Sequence, residues 1–340
     1  MKKMCAILVA IVLVMSMVCN FNIFSNQQND IHTNDFIKNL YSANPAEIDT
    51  QHFYYNQLSE FEKVLYNRLV ENKENFIENS EFVWFDKGEM RDANVVDWRF
   101  TTNKVLKAYW LDEPLSTMWL QFYKITPTDT KYVMGIADGK NCYGAFDSPE
   151  ETRAGLLCVE TNARLIVNNL SGSDEEKLQQ IYKAVSSEAF YAYDEYFENG
   201  KPATANSAWG VLGDSYVKVS VCEGFANAYK YVADLAGLKV IQVFGWNNED
   251  GYANEFKLAK NNQNMIESIL GFGLVLEENH AWNYVWTEET GWTLCDITWE
   301  DHRATEVENG YETSYNYFMV DIVADREDGK HVPHTNFINP

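Results

Sequence analysis

Positive charge is scarce in this sequence. Its 340 residues include 27 lysines and arginines against 50 aspartates and glutamates, which gives a formal net charge of −23 at pH 7. A chain this acidic repels the phosphates of nucleic acids and the anionic headgroups of lipids. The composition therefore argues against nucleic acid as a partner and is typical of a protein kept soluble by its surface charge.

Long apolar runs are also lacking beyond residue 30, where no stretch approaches the roughly 18 residues that indicate a spanning helix. The N-terminus differs, because Lys2 and Lys3 precede an uncharged apolar run at residues 4–18 that leads into polar residues. This order is typical of a secretory signal, and the run is short for a permanent anchor. We expect residues 1–25 to be a signal peptide or an uncleaved anchor, and the protein to be secreted or at the cell surface.

Closely spaced cysteine pairs are absent as well. Two of the six cysteines precede residue 20, and the other four are Cys142, Cys158, Cys222 and Cys295. Their spacing matches no zinc pattern of the C-x-x-C type, so we expect neither a metal nor a cofactor. Cys142 and Cys158 either form a disulfide, as export allows, or remain free thiols.

Apolar residues, by contrast, are plentiful, at 46% hydrophobic and 14% aromatic, which is enough for a large buried core. After a polar spacer at residues 26–50, we expect an N-terminal region of mixed helix and strand at residues 51–170. A capping box at Ser59 begins one of its helices. The elements predicted there are helices at about 60–76 and 151–169 and strands at 82–85, 118–123 and 132–136.

Residues 171–340 are predicted to form a second domain, so the fold class is α+β. A second capping box begins a helix at Ser173. Apolar residues then recur at intervals of three and four after Cys222, which predicts a helix that ends before Gly237. The strands expected after this helix are residues 238–245, 280–287 and 291–298, the last two paired as a hairpin.

Cys222 would begin the amphipathic helix, where unpaired backbone N–H groups and the helix dipole stabilise a thiolate. A lone cysteine there is also commonly a small buried hydrophobe. Pairing the hairpin about residue 288 places His280 directly opposite Asp296 on one face. The carboxylate could then hold one imidazole nitrogen and direct the other at a thiol. A slip of one residue would put the two side chains on opposite faces.

Three motifs surround these side chains. They are Ser207-Ala208-Trp209-Gly210 with Val221-Cys222-Glu223-Gly224, His280-Ala281-Trp282-Asn283, and Trp292-Thr293-Leu294-Cys295-Asp296. In these motifs, over about residues 170–325, the sequence resembles the bacterial exported form of the transglutaminase-like superfamily. The resemblance makes residues 171–340 the catalytic domain.

The resemblance implies a papain-like core, in which a nucleophile helix packs on an antiparallel sheet. It implies that Cys222 is the nucleophile, His280 the general base and then acid, and Asp296 the residue that orients His280. The resemblance does not assign the oxyanion donors. The backbone N–H of Cys222 is one natural donor, and Trp209 either supplies a second through its indole N–H or only packs. Such a thiol enzyme acts on amide bonds through a thioester, by acyl transfer or hydrolysis. Its substrate would be a glutamine side chain or peptide bond of a protein or peptide, with a lysine amine or water as acceptor.

Two alternatives stay open at this point. A non-catalytic surface protein could use the same fold to bind peptide or glycan, because tryptophan and tyrosine rings stack on such ligands. The second alternative is a metal site built from Cys222 and His280, although these ligands include no closely spaced pair. The long connection at residues 246–279 either covers the cleft or is an insertion.

Overall fold

The computed structural model describes residue 40 and residues 47–137, 145–192, 203–216, 218–247, 280–300, 316–327 and 330–333. Helices and strands are both abundant there, so the predicted α+β class is confirmed. The N-terminal signal, most of the polar spacer, Cys142 and residues 248–279 lie outside this part. Within it, no helix combines the length and apolar character needed to cross a bilayer.

Residues 51–137 of the N-terminal region contain a small antiparallel sheet and three α-helices. Helix α1 begins at a capping box, in which the Ser59 hydroxyl accepts from the Glu62 amide and the Glu62 carboxylate accepts from the Ser59 amide. The sheet has the strand order β1-β3-β2. The elements are α1 (Glu60–Asn79), β1 (Glu81–Asp86), α2 (Lys87–Asp92), α3 (Trp98–Asp112), β2 (Tyr123–Pro127) and β3 (Lys131–Ile136).

The second half of the chain is built on a four-stranded antiparallel sheet with the order β8-β7-β6-β9. A short parallel pair, β4 with β5, precedes the central helix α7. The helices are α4 (Pro149–Asn168), α5 (Asp174–Glu188), α6 (Trp209–Leu212), α7 (Cys222–Leu235) and α8 (Ile322–Glu327). The strands are β4 (Phe190–Tyr191), β5 (Val219–Ser220), β6 (Lys239–Asn247), β7 (His280–Thr287), β8 (Gly291–Cys295) and β9 (His331–Pro333).

The four-stranded sheet is covered on both faces. Alternate residues of a strand point to opposite faces, so Val240 and Val285 join a core with α4, α5 and α7. Ile241 and Tyr284 join a second core with α1, α3 and the smaller sheet. The N-terminal region therefore shares a core with the main sheet, and α7 packs directly on β6 and β7. The boundary near residue 170 stays a prediction.

One sequence-based expectation for the N-terminal region was wrong, and one helix there was not predicted. The strand expected at residues 118–123 is a 3-10 helix at Ser116–Met118 followed by irregular chain, and β2 begins only at Tyr123. Met118, Trp119 and Leu120 are all buried, so these apolar residues fill the core consecutively rather than alternating along a strand. Helix α3 was missed because Lys104 and Lys107 are buried on it, which hides the amphipathic pattern.

Candidate active site

Cys222 is the first residue of α7, and the residue is partly exposed. The residue before it, Val221, has an extended backbone and an apolar side chain that cannot cap the helix. The first-turn amides therefore remain available for a negative charge at this end of the helix. Gly224 lets the chain pack closely here, because a Cβ on it would lie 2.3 Å from the Ala205 carbonyl oxygen.

The hairpin register differs from the prediction by two residues. Tyr284 pairs with Leu294 and Trp286 with Trp292, so His280 is not directly opposite Asp296. The turn accounts for the difference, because Gly291 takes a left-handed conformation (φ 71°) and pairs with Thr287 across a three-residue loop. A shift of two residues preserves the faces of the strands, so His280 and Asp296 still project from the same side.

The two side chains meet in the interior. His280 Nε2 lies 2.5 Å from Asp296 Oδ2, and both residues are buried. Asp296 Oδ1 accepts from the Thr298 amide at 2.9 Å, and the Tyr182 hydroxyl donates to the Asp296 carbonyl at 2.9 Å. The backbone amide of Asp296 donates to Tyr317. Asp296 is thus fixed by contacts from α5, from its own loop and from the segment that precedes α8.

The charges of this pair stabilise each other. Burial lowers the pKa of His280, but the negative charge and hydrogen bond of Asp296, together with a hydrogen bond to Cys222, raise that pKa to about 10. Burial alone would raise the pKa of Asp296. The charges and hydrogen bonds of His280 and His331 outweigh this effect and hold that pKa well below its usual range. His280 is therefore an imidazolium at neutral pH. Since Asp296 engages Nε2, Nδ1 is the nitrogen left to face the Cys222 thiol.

Two further buried residues, His331 and Asp325, contact the pair and were not predicted from the sequence. His331 Nε2 lies 2.9 Å from Asp296 Oδ2, and His331 Nδ1 lies 3.0 Å from Asp325 Oδ2. His331 begins β9, which pairs with the edge of β6, and Asp325 lies on α8. Both elements are short and distant in sequence from Asp296, so no local pattern in a single sequence could indicate the contact.

Aromatic rings enclose the imidazoles. The His280 ring stacks between Trp282 and Trp299, with centroid distances of 5.9 Å and 6.0 Å. Trp299 also packs on His331 at 4.2 Å and on Tyr317 at 4.6 Å. Such an enclosure keeps water from the ion pairs and strengthens their electrostatic interaction.

Three of these residues also satisfy the spacing of a metal centre. One ligand atom each from His280, Asp296 and His331 lies within 4.8 Å of the others. However, the 2.5 Å between His280 Nε2 and Asp296 Oδ2 is shorter than the roughly 3 Å that separates two ligands of one zinc ion. The arrangement is that of hydrogen-bonded ion pairs, and a metal would have to push the groups apart. The expected absence of a metal stays a prediction.

The other singled-out residues lie apart from the His280–Asp296 contact. The Trp209 ring packs edge-on against Phe146, with centroids 4.9 Å apart, and over Gly213, so its role as an oxyanion donor stays a prediction. Cys295 is buried in the core with α7, as expected from strand alternation, and burial raises the pKa of its thiol to about 12. Cys158 is a free, partly exposed thiol on α4.

Comparison with known proteins identifies the region that contains this site. Residues 162–297 match the family model of the transglutaminase-like superfamily. A solved structure described as the crystal structure of a TGase is 13% identical, with a TM-score of 0.30, and the match covers 56% of this chain and 49% of that one. This chain thus spans about half of that protein, and so weak a likeness supports no conclusion of its own. No curated protein matches the chain. Residues 162–297, which include Cys222, His280 and Asp296, are therefore a transglutaminase-like superfamily domain.

Proposed function

We propose that this protein is a thiol enzyme that acts on amide bonds, by transglutaminase-like acyl transfer or by peptide hydrolysis. Cys222 is the nucleophile, His280 the acid and base, and Asp296 the residue that orients His280. One observation carries the proposal: a buried His280–Asp296 pair contacts a cysteine at the first residue of a helix. This set of groups supplies a nucleophile, its base and the orienter of that base.

The reaction begins when Cys222, as a thiolate beside the His280 imidazolium, attacks the carbonyl carbon of an amide. The oxygen of the tetrahedral intermediate receives a hydrogen bond from the Cys222 amide, and Trp209 is the proposed second donor. The His280 imidazolium gives its proton to the leaving nitrogen, so the C–N bond breaks and a thioester remains. Neutral His280 then takes a proton from an amine or water as that molecule attacks the thioester. The C–S bond breaks, the product leaves, and the Cys222 thiolate and the His280 imidazolium are restored.

The expected substrate is a protein or peptide, reacting at a glutamine side chain or at a peptide bond. A lysine amine is the acceptor in acyl transfer, and water in hydrolysis. The net charge of −23 would attract a lysine-bearing acceptor rather than repel it. We place the reaction outside the cytoplasm on the pattern of residues 1–25, with contact to a membrane only if that segment remains uncleaved.

Mass spectrometry of a mixed protein substrate tests the proposal. The purified protein is incubated with the substrate and a primary amine, beside Cys222→Ala and the matched control Cys158→Ala. Amine adducts on glutamine that vanish only in Cys222→Ala would indicate acyl transfer, and new chain termini that vanish only there would indicate hydrolysis. If the folded wild-type protein gives neither product, or Cys222→Ala gives as much as the wild type, the proposed function is wrong.

A further inference from the structure

The Asp296 carboxylate contacts two imidazoles rather than one. His280 and His331 both direct Nε2 at the same atom, Asp296 Oδ2, at 2.5 Å and 2.9 Å. On its other side, His331 Nδ1 lies 3.0 Å and 3.1 Å from the two oxygens of Asp325. Carboxylates and imidazoles thus alternate from Asp325 through His331 and Asp296 to His280, and this row ends at Cys222.

The contacts of His331 define its protonation. An ionised carboxylate can only accept hydrogen bonds, so each imidazole nitrogen that faces one must carry a hydrogen. Both nitrogens of His331 face carboxylates, which makes the ring an imidazolium. Burial and the nearby charge of His280 oppose this charge. The hydrogen bonds to Asp296 and Asp325, together with the charge of Asp296, outweigh them and raise the pKa of His331.

The negative charge of Asp325 balances the positive charge of His331, so His331 does not cancel the charge of Asp296. Without Asp325, the positive charge of His331 would have only Asp296 as its counter-ion, and less of the Asp296 charge would remain for His280. Asp325 supplies a separate negative charge that lies against His331 with both oxygens. The groups that face His331 are Asp296 from the end of β8, Asp325 from α8 and His280 from β7, with Trp299 and Tyr317 as aromatic neighbours.

The backbone fixes His331 and Asp325 relative to each other and to β8. The His331 amide donates to Asp325 Oδ2 at 3.0 Å, and the Lys330 amide donates to the Asp325 carbonyl at 3.1 Å. Val320 exchanges both backbone hydrogen bonds with Leu294, two residues before Asp296. This segment is therefore attached to the strand that leads into Asp296, and it brings a charged pair to the back of that carboxylate.

We propose that Asp325 and His331 are positioning residues that extend the Cys222–His280–Asp296 triad. The imidazolium of His331, balanced by Asp325, holds Asp296 ionised and in the one orientation that directs His280 at the thiol. The inference rests on the proposed function for its kinetic consequence. Its electrostatic part concerns the ground state of the protein and can be measured without a substrate.

The charge on His331 is measured by NMR of protein labelled with nitrogen-15 at histidine. His331→Gln identifies the His331 signals by their loss. We expect both ring nitrogens of His331 to be protonated in the wild type at pH 8. In Asp325→Asn the ring loses a negative neighbour, so its deprotonation moves to lower pH. A neutral His331 ring in the wild type at pH 8 would overturn the proposal.

Kinetics test the positioning role on the same variants. We expect Asp325→Asn to lower kcat by about 10- to 100-fold, as loss of outer partners does for histidines in metal sites. Its kcat/KM should also fall with rising pH in step with the deprotonation of His331, which a merely structural role would not produce. His331→Gln, whose amide still donates to Asp296, should retain more activity than His331→Leu.

The control variant is Asp49→Asn. Asp49 and His52 form a carboxylate–imidazole pair at 3.0 Å, as Asp325 and His331 do, but this pair lies on the surface. Asp49→Asn should therefore keep the wild-type dependence of kcat/KM on pH. Wild-type kinetics in a folded Asp325→Asn would refute the positioning role. If the wild-type protein has no activity on any amide, the proposed function fails instead, and the NMR spectrum still decides whether His331 carries its charge.

Discussion

At the scale of single residues, the site depends on how buried charges are paired. His280 and Asp296 are both buried, and an unpaired charge there would cost several kcal/mol. Each keeps its charge because the other lies at hydrogen-bond distance. The surface pair of Asp49 and His52 has similar geometry but lies in water, where such pairs contribute little. Burial therefore distinguishes the pair that can orient a nucleophile from one that cannot.

Asp296→Asn should move the basic limit of activity. Asp296 raises the pKa of His280 to about 10, so the imidazolium that protonates the leaving nitrogen persists up to that pH and is lost above it. Without the carboxylate charge, burial lowers the pKa of His280, and the basic limb of kcat/KM should move below about pH 7. Activity at pH 8 should fall by about 10²- to 10⁴-fold. A basic limb that stays near its wild-type position would disprove the assigned role of Asp296.

Chelation should leave the activity unchanged. The nitrogens and oxygens of His280, Asp296 and His331 that could bind a metal are engaged with one another at 2.5 Å and 2.9 Å. We expect the same rate of amide turnover before and after extensive dialysis against EDTA. A loss of activity on dialysis that a divalent ion restores would show instead that these residues serve a metal.

At the scale of elements, the start of α7 determines where the nucleophile lies. The first turn of this helix packs on the chain around Ala205 and on Ser220 of β5, and Gly224 is what allows the approach. At the other end, Gly237 takes a left-handed conformation (φ 72°) and terminates the helix. Both ends of α7 are therefore set by glycines, and its apolar residues attach it to β6 and β7.

Gly224→Ala should displace Cys222. The added methyl group would lie 2.3 Å from both the Ala205 carbonyl oxygen and Ser220 Oγ, so the first turn of α7 must shift. We expect a loss of about 1 to 3 kcal/mol in the free energy of unfolding and a marked loss of kcat. Gly88→Ala on α2 is the matched control, since its nearest neighbour would be an Arg91 side-chain atom at 4.0 Å. Urea unfolding and kinetics of both variants measure the difference, and equal behaviour would contradict the close packing described for Gly224.

At the scale of the whole molecule, the N-terminal region is attached to the main sheet through Asp112. This carboxylate accepts from the backbone amides of Tyr54 and Tyr55 at 3.0 Å and 2.8 Å. The Tyr54 hydroxyl in turn donates to the carbonyl of Gln242 on β6. The contact thus connects α3, the chain before α1 and the sheet that carries His280.

The free energy of unfolding should depend on Asp112 between about pH 4 and pH 7. Burial raises the pKa of Asp112 to about 7, and hydrogen bonds from the Tyr54 and Tyr55 amides offset this only in part. The folded state therefore holds a proton that the unfolded chain releases near pH 4, and stability falls as the pH rises through this window. Asp112→Asn keeps an acceptor oxygen for only one of the two amides, which lowers the stability at every pH, but it has no titrating carboxyl and should remove about 2 to 4 kcal/mol of the decline.

Urea unfolding at pH 5 and pH 8 measures this effect, with the exposed Asp92→Asn as control. We expect the free energy of unfolding to fall less between pH 5 and pH 8 in Asp112→Asn than in the wild type, and the control to follow the wild type at both values. A variant with the same decline as the wild type would mean that Asp112 is ionised throughout this range.

Local patterns in the sequence were sufficient for α7, for the hairpin and for the face shared by His280 and Asp296, because each depends on periodicity within one or two elements. The register was wrong because it depends on the conformation of Gly291, which the strand pattern does not specify. Asp325 and His331 could not be predicted, since they reach Asp296 through tertiary packing of elements of six and three residues. Helix α3 was missed because tertiary contacts bury its lysines.

The most direct test of the central claim is the relative reactivity of two thiols in one molecule. The folded protein is treated at pH 7 with a limiting amount of iodoacetamide, and peptide mass spectrometry measures the labelling rates of Cys222 and Cys158. Both cysteine residues are partly exposed, but of the two only Cys222 interacts with the His280 imidazole. We expect Cys222 to react at least about tenfold faster, and this advantage to disappear in Asp296→Asn while Cys158 is unaffected. Equal rates in the wild-type protein would show that Cys222 is not an activated nucleophile.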